Sequence, residues 1–271
     1  MRSSILLLSC LALISSPGRM PGDSGRLLAA DRSEAAENRA QSAAGDTGLV
    51  RIGPADAGTD AFVAWPAGKN PAPAIIVVHE WWGLNEQMRS LARRLAQEGY
   101  VTIVPDLYHG KVADEPEYAH ELSRGLDEDK ALVDLDSAAQ WILRQPRVAR
   151  QRLGVVGFCM GGRLSQLFAL HNPQLRAAVM FYGRPETDPA KLATLKAPLQ
   201  GHFGGEDRGI GADQVEALRK GLAKAGKPVD IYVYPGAGHA FMNDGRPSYH
   251  ADAARQAWAR MLQFFQKYLK A

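Results

Sequence analysis

The sequence predicts one α/β domain, a mostly parallel, doubly wound sheet with helices on both faces. Three observations carry that expectation. Apolar β-rich runs alternate with helical patterns over most of the chain. A Gly-x-Cys-x-Gly turn, residues 157–161, follows one such run without a break. Polar residues able to do chemistry recur just past the runs, where the loops of an open sheet collect.

Taken in order, residues 5–14 form an apolar stretch behind Arg2, too short to span a bilayer comfortably but the length of a secretory signal core. Residues 1–30 are therefore expected to be a leader, cleaved between Ser15 and Asp31, and the protein to be periplasmic or secreted. Leu7-Leu8-Ser9-Cys10 also resembles a lipid-attachment motif, with its cysteine unusually early. A start at Met20 is the alternative and would leave the protein in the cytoplasm. Residues 31–48 lack periodicity and read as a flexible linker, so the folded domain is expected over 49–271.

Within it, strands are expected at 62–65, 75–78, 101–104, 153–156, 178–181, 199–203 and 229–234. Helices show their buried stripes by spacing: Met88, Leu91 and Leu95; Leu132, Leu135, Ala139 and Ile142; Trp258, Leu262, Phe265 and Leu269. Asn85 suits the N-cap of the first, and Gly99 suits the left-handed residue that ends it. A further helix is expected from Met160 to about His171.

At 271 residues and 46% apolar composition the chain can bury a full core. A formal charge of +3, without a Lys/Arg block, argues against nucleic-acid binding. No run of 18 or more apolar residues suggests a stable membrane domain. The cysteines are Cys10 and Cys159, so loss of the leader leaves one thiol and no intramolecular disulfide. His79-Glu80-Trp81-Trp82-Gly83 lacks the second histidine of a zinc helix, and the glycine-rich turns lack a nucleotide signature. Neither a metal nor another cofactor is expected; the partner is a small molecule and the expected state a monomer.

Cys159 is the candidate nucleophile. Small residues flanking it keep a sharp strand-to-helix turn free of clashes and aim the side chain outward. An ordinary thiol, with a pKa of about 8.5, is only slightly ionised at neutral pH and needs a base or a positive field. His239 is the candidate base, and Asp207, with Glu206 as competitor, the acid that orients it. Nucleophile, acid, base is the chain order of α/β-hydrolases. The start of the helix at Met160 favours negative charge, and the backbone N–H groups of Met160 and Trp81 are the expected oxyanion donors.

With these residues in hand, the chain resembles the dienelactone hydrolase family from about residue 75 to its last helix. The likeness rests on His79-Glu80-Trp81-Trp82-Gly83-Leu84-Asn85, Pro105-Asp106-Leu107-Tyr108, Gly157-Phe158-Cys159-Met160-Gly161-Gly162, Gly204-Gly205-Glu206-Asp207 and Gly238-His239-Ala240-Phe241. The resemblance implies a single-domain α/β-hydrolase fold, a Cys159–His239–Asp207 triad, and a Glu80 that touches the thiol at rest and moves aside when substrate binds. It also implies arginines that hold a substrate carboxylate, but the corresponding places read His109-Gly110 and Asn243. Arg184, Arg208 and Arg246 could substitute, Arg208 first because it adjoins Asp207. Trp82, Tyr108, Phe158 and Phe241, with Trp81 and Tyr182, are the expected pocket residues. The expected activity is hydrolysis of a lactone or small ester through an acyl-cysteine. Alternatives are another esterase or thioesterase on the same residues, a redox-responsive cysteine protein, or a non-catalytic binding module.

Overall fold

The computed structural model describes residues 44–271, and the expected leader, Cys10 and most of the expected linker lie outside them. The described strands form one sheet in the order β1 (Ala44–Ile52), β2 (Thr59–Pro66), β4 (Val101–Pro105), β3 (Ala72–Val78), β5 (Val148–Phe158), β6 (Leu175–Phe181), β7 (Leu199–Gly204), β8 (Asp230–Tyr234). From β4 through β8 all neighbours are parallel, while β2 pairs antiparallel with both β1 and β4. Residues 44–48, expected as linker, are strand: Thr47 lies opposite Ala64 and Leu49 opposite Phe62. Their polar character follows from the edge position, where even Leu49 is 60% exposed.

The helices are α1 (Glu86–Gln97), α2 (Pro116–Gly125), α3 (Glu128–Leu143), α4 (Met160–His171), α5 (Pro189–Leu192), α6 (Ala212–Lys224) and α7 (Ala251–Phe265), the last continued by a π-helical turn over Gln266–Lys270. The two faces of the sheet hold separate cores, because β side chains alternate. On β3, Ile76 and Val78 face a core that includes α3, α4 and α6, whereas Ile75 and Val77 face one that includes α1 and α7. Each fully buried Val or Ile contributes roughly 1.5–3 kcal/mol, so register is firmly set at the strands that carry the site.

Asn85 caps α1 by accepting from the Met88 amide at 3.1 Å, and Gly99 follows it at φ 85°. In α3 the buried stripe runs through Ala131, Leu135, Ala138, Ala139 and Ile142, leaving the expected Leu132 half-buried. In α7 it runs through Ala257, Met261, Phe264 and Phe265, with Trp258 and Leu262 at its margin. No described helix is long and apolar enough to cross a membrane.

Strand order reverses between β3 and β5, so their carboxyl ends open a crevice between loops that leave in opposite directions. Four of the five described non-glycine residues with positive φ, His109, Cys159, Tyr182 and Ala240, lie in loops at this edge. Backbone strain thus gathers where the candidate site sits.

Candidate active site

The turn between β5 and α4 is built by close approach of backbone. A Cβ on Gly157 would lie 1.8 Å from the Gly161 carbonyl oxygen, and one on Gly161 would lie 2.3 Å from that of Val78. The absence of those side chains lets α4 start tight against the end of β3. Cys159 occupies the N-cap of α4 at φ 55°, ψ −117°, and its amide donates to the Phe181 carbonyl at 3.0 Å. The amide of Met160, first in the helix, has no intrahelical acceptor.

Two hydrogen bonds then run from the sulfur into the protein. Cys159 Sγ lies 3.1 Å from His239 Nε2, and His239 Nδ1 lies 2.7 Å from Asp207 Oδ2. The other oxygen of Asp207 accepts from the amides of Gly209 at 2.8 Å and Ile210 at 3.0 Å, and its side chain is wholly buried. Glu206, the competing acid, is exposed and its amide donates to the Ala237 carbonyl.

Burial alone would push the Asp207 carboxyl up. The hydrogen bond and charge of His239, with the two amides, outweigh it and hold the carboxyl below its usual range. Burial likewise works against the charged form of His239, but hydrogen bonds to Asp207 and Cys159 prevail and raise the imidazole to about 10. A cationic ring at 3.1 Å is the electrostatic partner a thiolate needs.

These groups open onto a cavity of about 500 Å³ lined by Glu80, Trp81, Trp82, Cys159, His239, Ala240, Arg246, Pro247 and Ser248. The Arg246 guanidinium sits 3.6 Å from the centroid of the Trp82 ring, and the Trp81 ring meets Trp82 edge-on at 4.9 Å. The wall away from His239 is therefore largely aromatic and apolar, with Arg246 as its cation. Among the described residues no group of three or more His, Cys, Asp or Glu side chains is arranged to hold a metal ion.

Several expected pocket residues lie elsewhere. Phe158 and Phe241 are buried in the core beneath the site, Phe158 stacked on Phe181 at 4.8 Å and Phe241 packed on Tyr182 at 5.3 Å, because strand alternation and the tight turn aim them inward. Tyr108 is also buried; its hydroxyl donates to Met160 Sδ at 3.3 Å and it lines a different cavity, with His109 and Asp134. Arg208 is exposed and outside the cavity, since the Asp207 turn that aims the carboxylate inward leaves the next side chain in solvent. Arg184 lines a separate surface cavity beside Thr187 and Asp213. Arg246, ranked behind Arg208 in the sequence, is the arginine that reaches the cavity.

Glu80 is 2% exposed and makes no hydrogen bond to the thiol. Its Oε1 accepts from the Tyr182 hydroxyl at 3.2 Å and its Oε2 from Asn243 Nδ2 at 2.6 Å. Burial pushes this carboxyl up, opposed by the two hydrogen bonds and by the charges of His239 and Arg246. Next to it, His79 is pinned across loops: Leu107 donates its amide to Nε2 at 3.2 Å, which leaves Nδ1 to donate to the Glu80 carbonyl at 2.6 Å. Burial holds that ring below its ordinary value, and it stays neutral at pH 7. Pro247 and Ser248 had no sequence signal, being brought to the cavity by an irregular loop that folds back after His239.

Known proteins share this arrangement of elements. The model of the dienelactone hydrolase family matches residues 59–269. A protein of Escherichia coli (strain K12) named as a carboxymethylenebutenolidase is 43% identical over 212 residues, covering 73% of this chain and 78% of its own. Protein usf of Aquifex pyrophilus is 35% identical over 216 residues, covering 77% and 93%. A crystal structure from Klebsiella pneumoniae named as a dienelactone hydrolase superposes with a TM-score of 0.74 at 37% identity, covering 83% of this chain and 100% of its own. On this evidence the chain belongs to the dienelactone hydrolase family.

Proposed function

We propose that the protein hydrolyses lactones or small carboxylic esters, with Cys159 as nucleophile, His239 as proton carrier and Asp207 as the group that orients and charges it. The observation that carries this reading is the successive pair of contacts, 3.1 Å from sulfur to imidazole and 2.7 Å from imidazole to carboxylate, at the mouth of an apolar cavity.

The sulfur attacks the substrate carbonyl as its proton passes to, and stays on, His239 Nε2. The carbonyl π electrons move to oxygen, and the amides of Met160 and Trp81 hold that oxyanion. Collapse breaks the bond to the leaving oxygen, which takes the Nε2 proton, and an acyl-cysteine remains. His239, now neutral, accepts a proton from water as the hydroxide adds. The second collapse expels the thiolate, releases the acid and restores the Cys159–His239 pair. An enolate, a good leaving group, asks little of the imidazolium as acid, in keeping with the lactone-hydrolase names of the relatives. Arg246 offers the cavity wall a positive charge for a substrate carboxylate.

The test is a panel of enol-lactones, activated esters and thioesters given to wild type and Cys159→Ala, with intact-mass trapping of the acyl-protein. Loss of about 10⁴-fold or more in kcat is expected from Cys159→Ala. Equal turnover by the two proteins would remove the nucleophile from the scheme.

A further inference from the structure

Glu80 shares a cavity with Cys159 and His239, so its carboxyl has two possible orientations: toward the sulfur–imidazole pair, or away from it. The structure shows the second, with both oxygens engaged. Tyr182 and Asn243 are the donors, and each is itself fixed.

Tyr182 stands at φ 38°, its amide bonded to the His202 carbonyl at 2.8 Å, its ring packed 5.2 Å from His239 and 5.3 Å from Phe241. Its hydroxyl donates its one proton to Glu80 at 3.2 Å. Asn243 is 3% exposed, and its Oδ1 accepts from the Gly245 amide at 3.1 Å. That bond sets the amide orientation and turns Nδ2 to the carboxyl. The donors belong to the loops after β6 and β8, and Glu80 to the loop after β3, so the contact ties together the walls around the sulfur.

From this juxtaposition we infer that Tyr182 and Asn243 are positioning residues that hold the Glu80 carboxyl off the thiol, so that the Cys159–His239 pair is assembled before substrate enters. The inference deepens the functional reading above and rests on it. Both donors are neutral, so the clamp offers no ion pair for an incoming anion to break. Substrate binding need not release Glu80, and the resting thiol is reactive.

The experiment alkylates the resting protein with iodoacetamide at pH 7, without ligand, following the Cys159 peptide by mass. Wild type is expected to react readily. In Tyr182→Phe/Asn243→Ala the freed carboxyl turns toward the sulfur, and the rate should fall about tenfold, the effect of roughly one pKa unit of charge repulsion on thiolate population. Adding Glu80→Gln to that pair removes the repelling charge and should bring the rate back to within about twofold of wild type. A merely structural role for the donors predicts no such rescue. An unchanged rate in the double variant, or a triple variant as slow as the double, overturns the clamp. Should the double variant fail a thermal-melt check for folding, Asn243→Ala and Tyr182→Phe singly carry the same test, each expected to slow the reaction about threefold and to recover with Glu80→Gln. Since the readout is alkylation, it separates from the functional reading. Fast alkylation beside unchanged ester turnover in Cys159→Ala defeats the esterase scheme alone, whereas a sluggish resting thiol beside turnover that depends on Cys159 defeats the clamp alone.

Discussion

Two imidazoles, fully buried His202 on β7 and half-buried His239 in the loop after β8, experience opposite fates within one fold. His202 is fully buried, donates from Nε2 to Gln200 Oε1 at 2.8 Å, and accepts at Nδ1 from the Tyr234 hydroxyl at 2.8 Å. Its ring stacks on Phe181 at 4.5 Å. Burial, aided by the charge of Arg260, drives it down to about 3. His239 is raised to about 10 because a carboxylate and a sulfur flank it. Burial by itself therefore makes a neutral ring here; hydrogen bonds to Asp207 and Cys159 favour the cation. What sets the site apart is its hydrogen-bonding partners, Asp207 first, and not enclosure.

The sharpest way to break this contrast is Asp207→Asn, which keeps shape but removes the anion. A fall in kcat of about 10³–10⁴-fold is expected, with the His239 ring returning toward its ordinary value in an NMR titration. In the intact protein the raised imidazole contributes stability that is fully present below its unfolded pKa of about 6.5 and is lost as pH rises through about 10. Chemical denaturation between pH 7 and 10 should show that loss in wild type, with a flatter curve in Asp207→Asn.

His202 gives the opposite sign. Its folded pKa is depressed, so its stability contribution is complete above about 6.5 and declines as pH falls toward about 3. Asp207 also has a depressed value but titrates below its unfolded pKa of about 4; buried His79, also held low, acts in the same interval from pH 6.5 to 4, so the difference from a His202 variant is what isolates His202. Wild type should lose roughly 3 kcal/mol more than His202→Gln across that interval by urea denaturation. Parallel curves would mean that the ring is protonated in the folded protein. The smallest expected effect is that of Arg208→Ala. This exposed side chain lies outside the cavity, and kcat/KM on an acidic lactone should stay within about twofold of wild type.

Much of the framework was legible because burial leaves a period. The runs at 75–78, 101–104 and 178–181 fall inside β3, β4 and β6. β1 escaped notice since its edge position permits exposed polar residues, and β5 begins at Val148, before its apolar half, where Gln151 and Arg152 are exposed. Helix α2 buries only Ala119 among its own residues, too little for a stripe. At the site, Cys159, Asp207 and His239 could be read from motif and chain order, because each sits at a turn with a local signature. Asn243 was visible only as a missing arginine. Its partnership with Glu80 spans 163 residues of sequence and that of Tyr182 spans 102, separations at which no local pattern reports a contact. The inward aim of Phe158 and Phe241 was hidden for a similar reason, since an aromatic beside a reactive residue reads alike whether it lines a wall or supports it.

In the proposed scheme, the backbone at residue 159 limits the shape of the attacking side chain and leaves its element free. At φ 55° a branched Cβ is sterically penalised, so threonine is excluded there while cysteine and serine are tolerated. Since Gly157 and Gly161 leave no space for flanking side chains either, exchanging sulfur for oxygen is the least disruptive chemical variation this turn allows. Under that scheme, divergence in substrate falls to the surrounding loops, which carry Trp82 and Arg246 and can change without touching the sulfur.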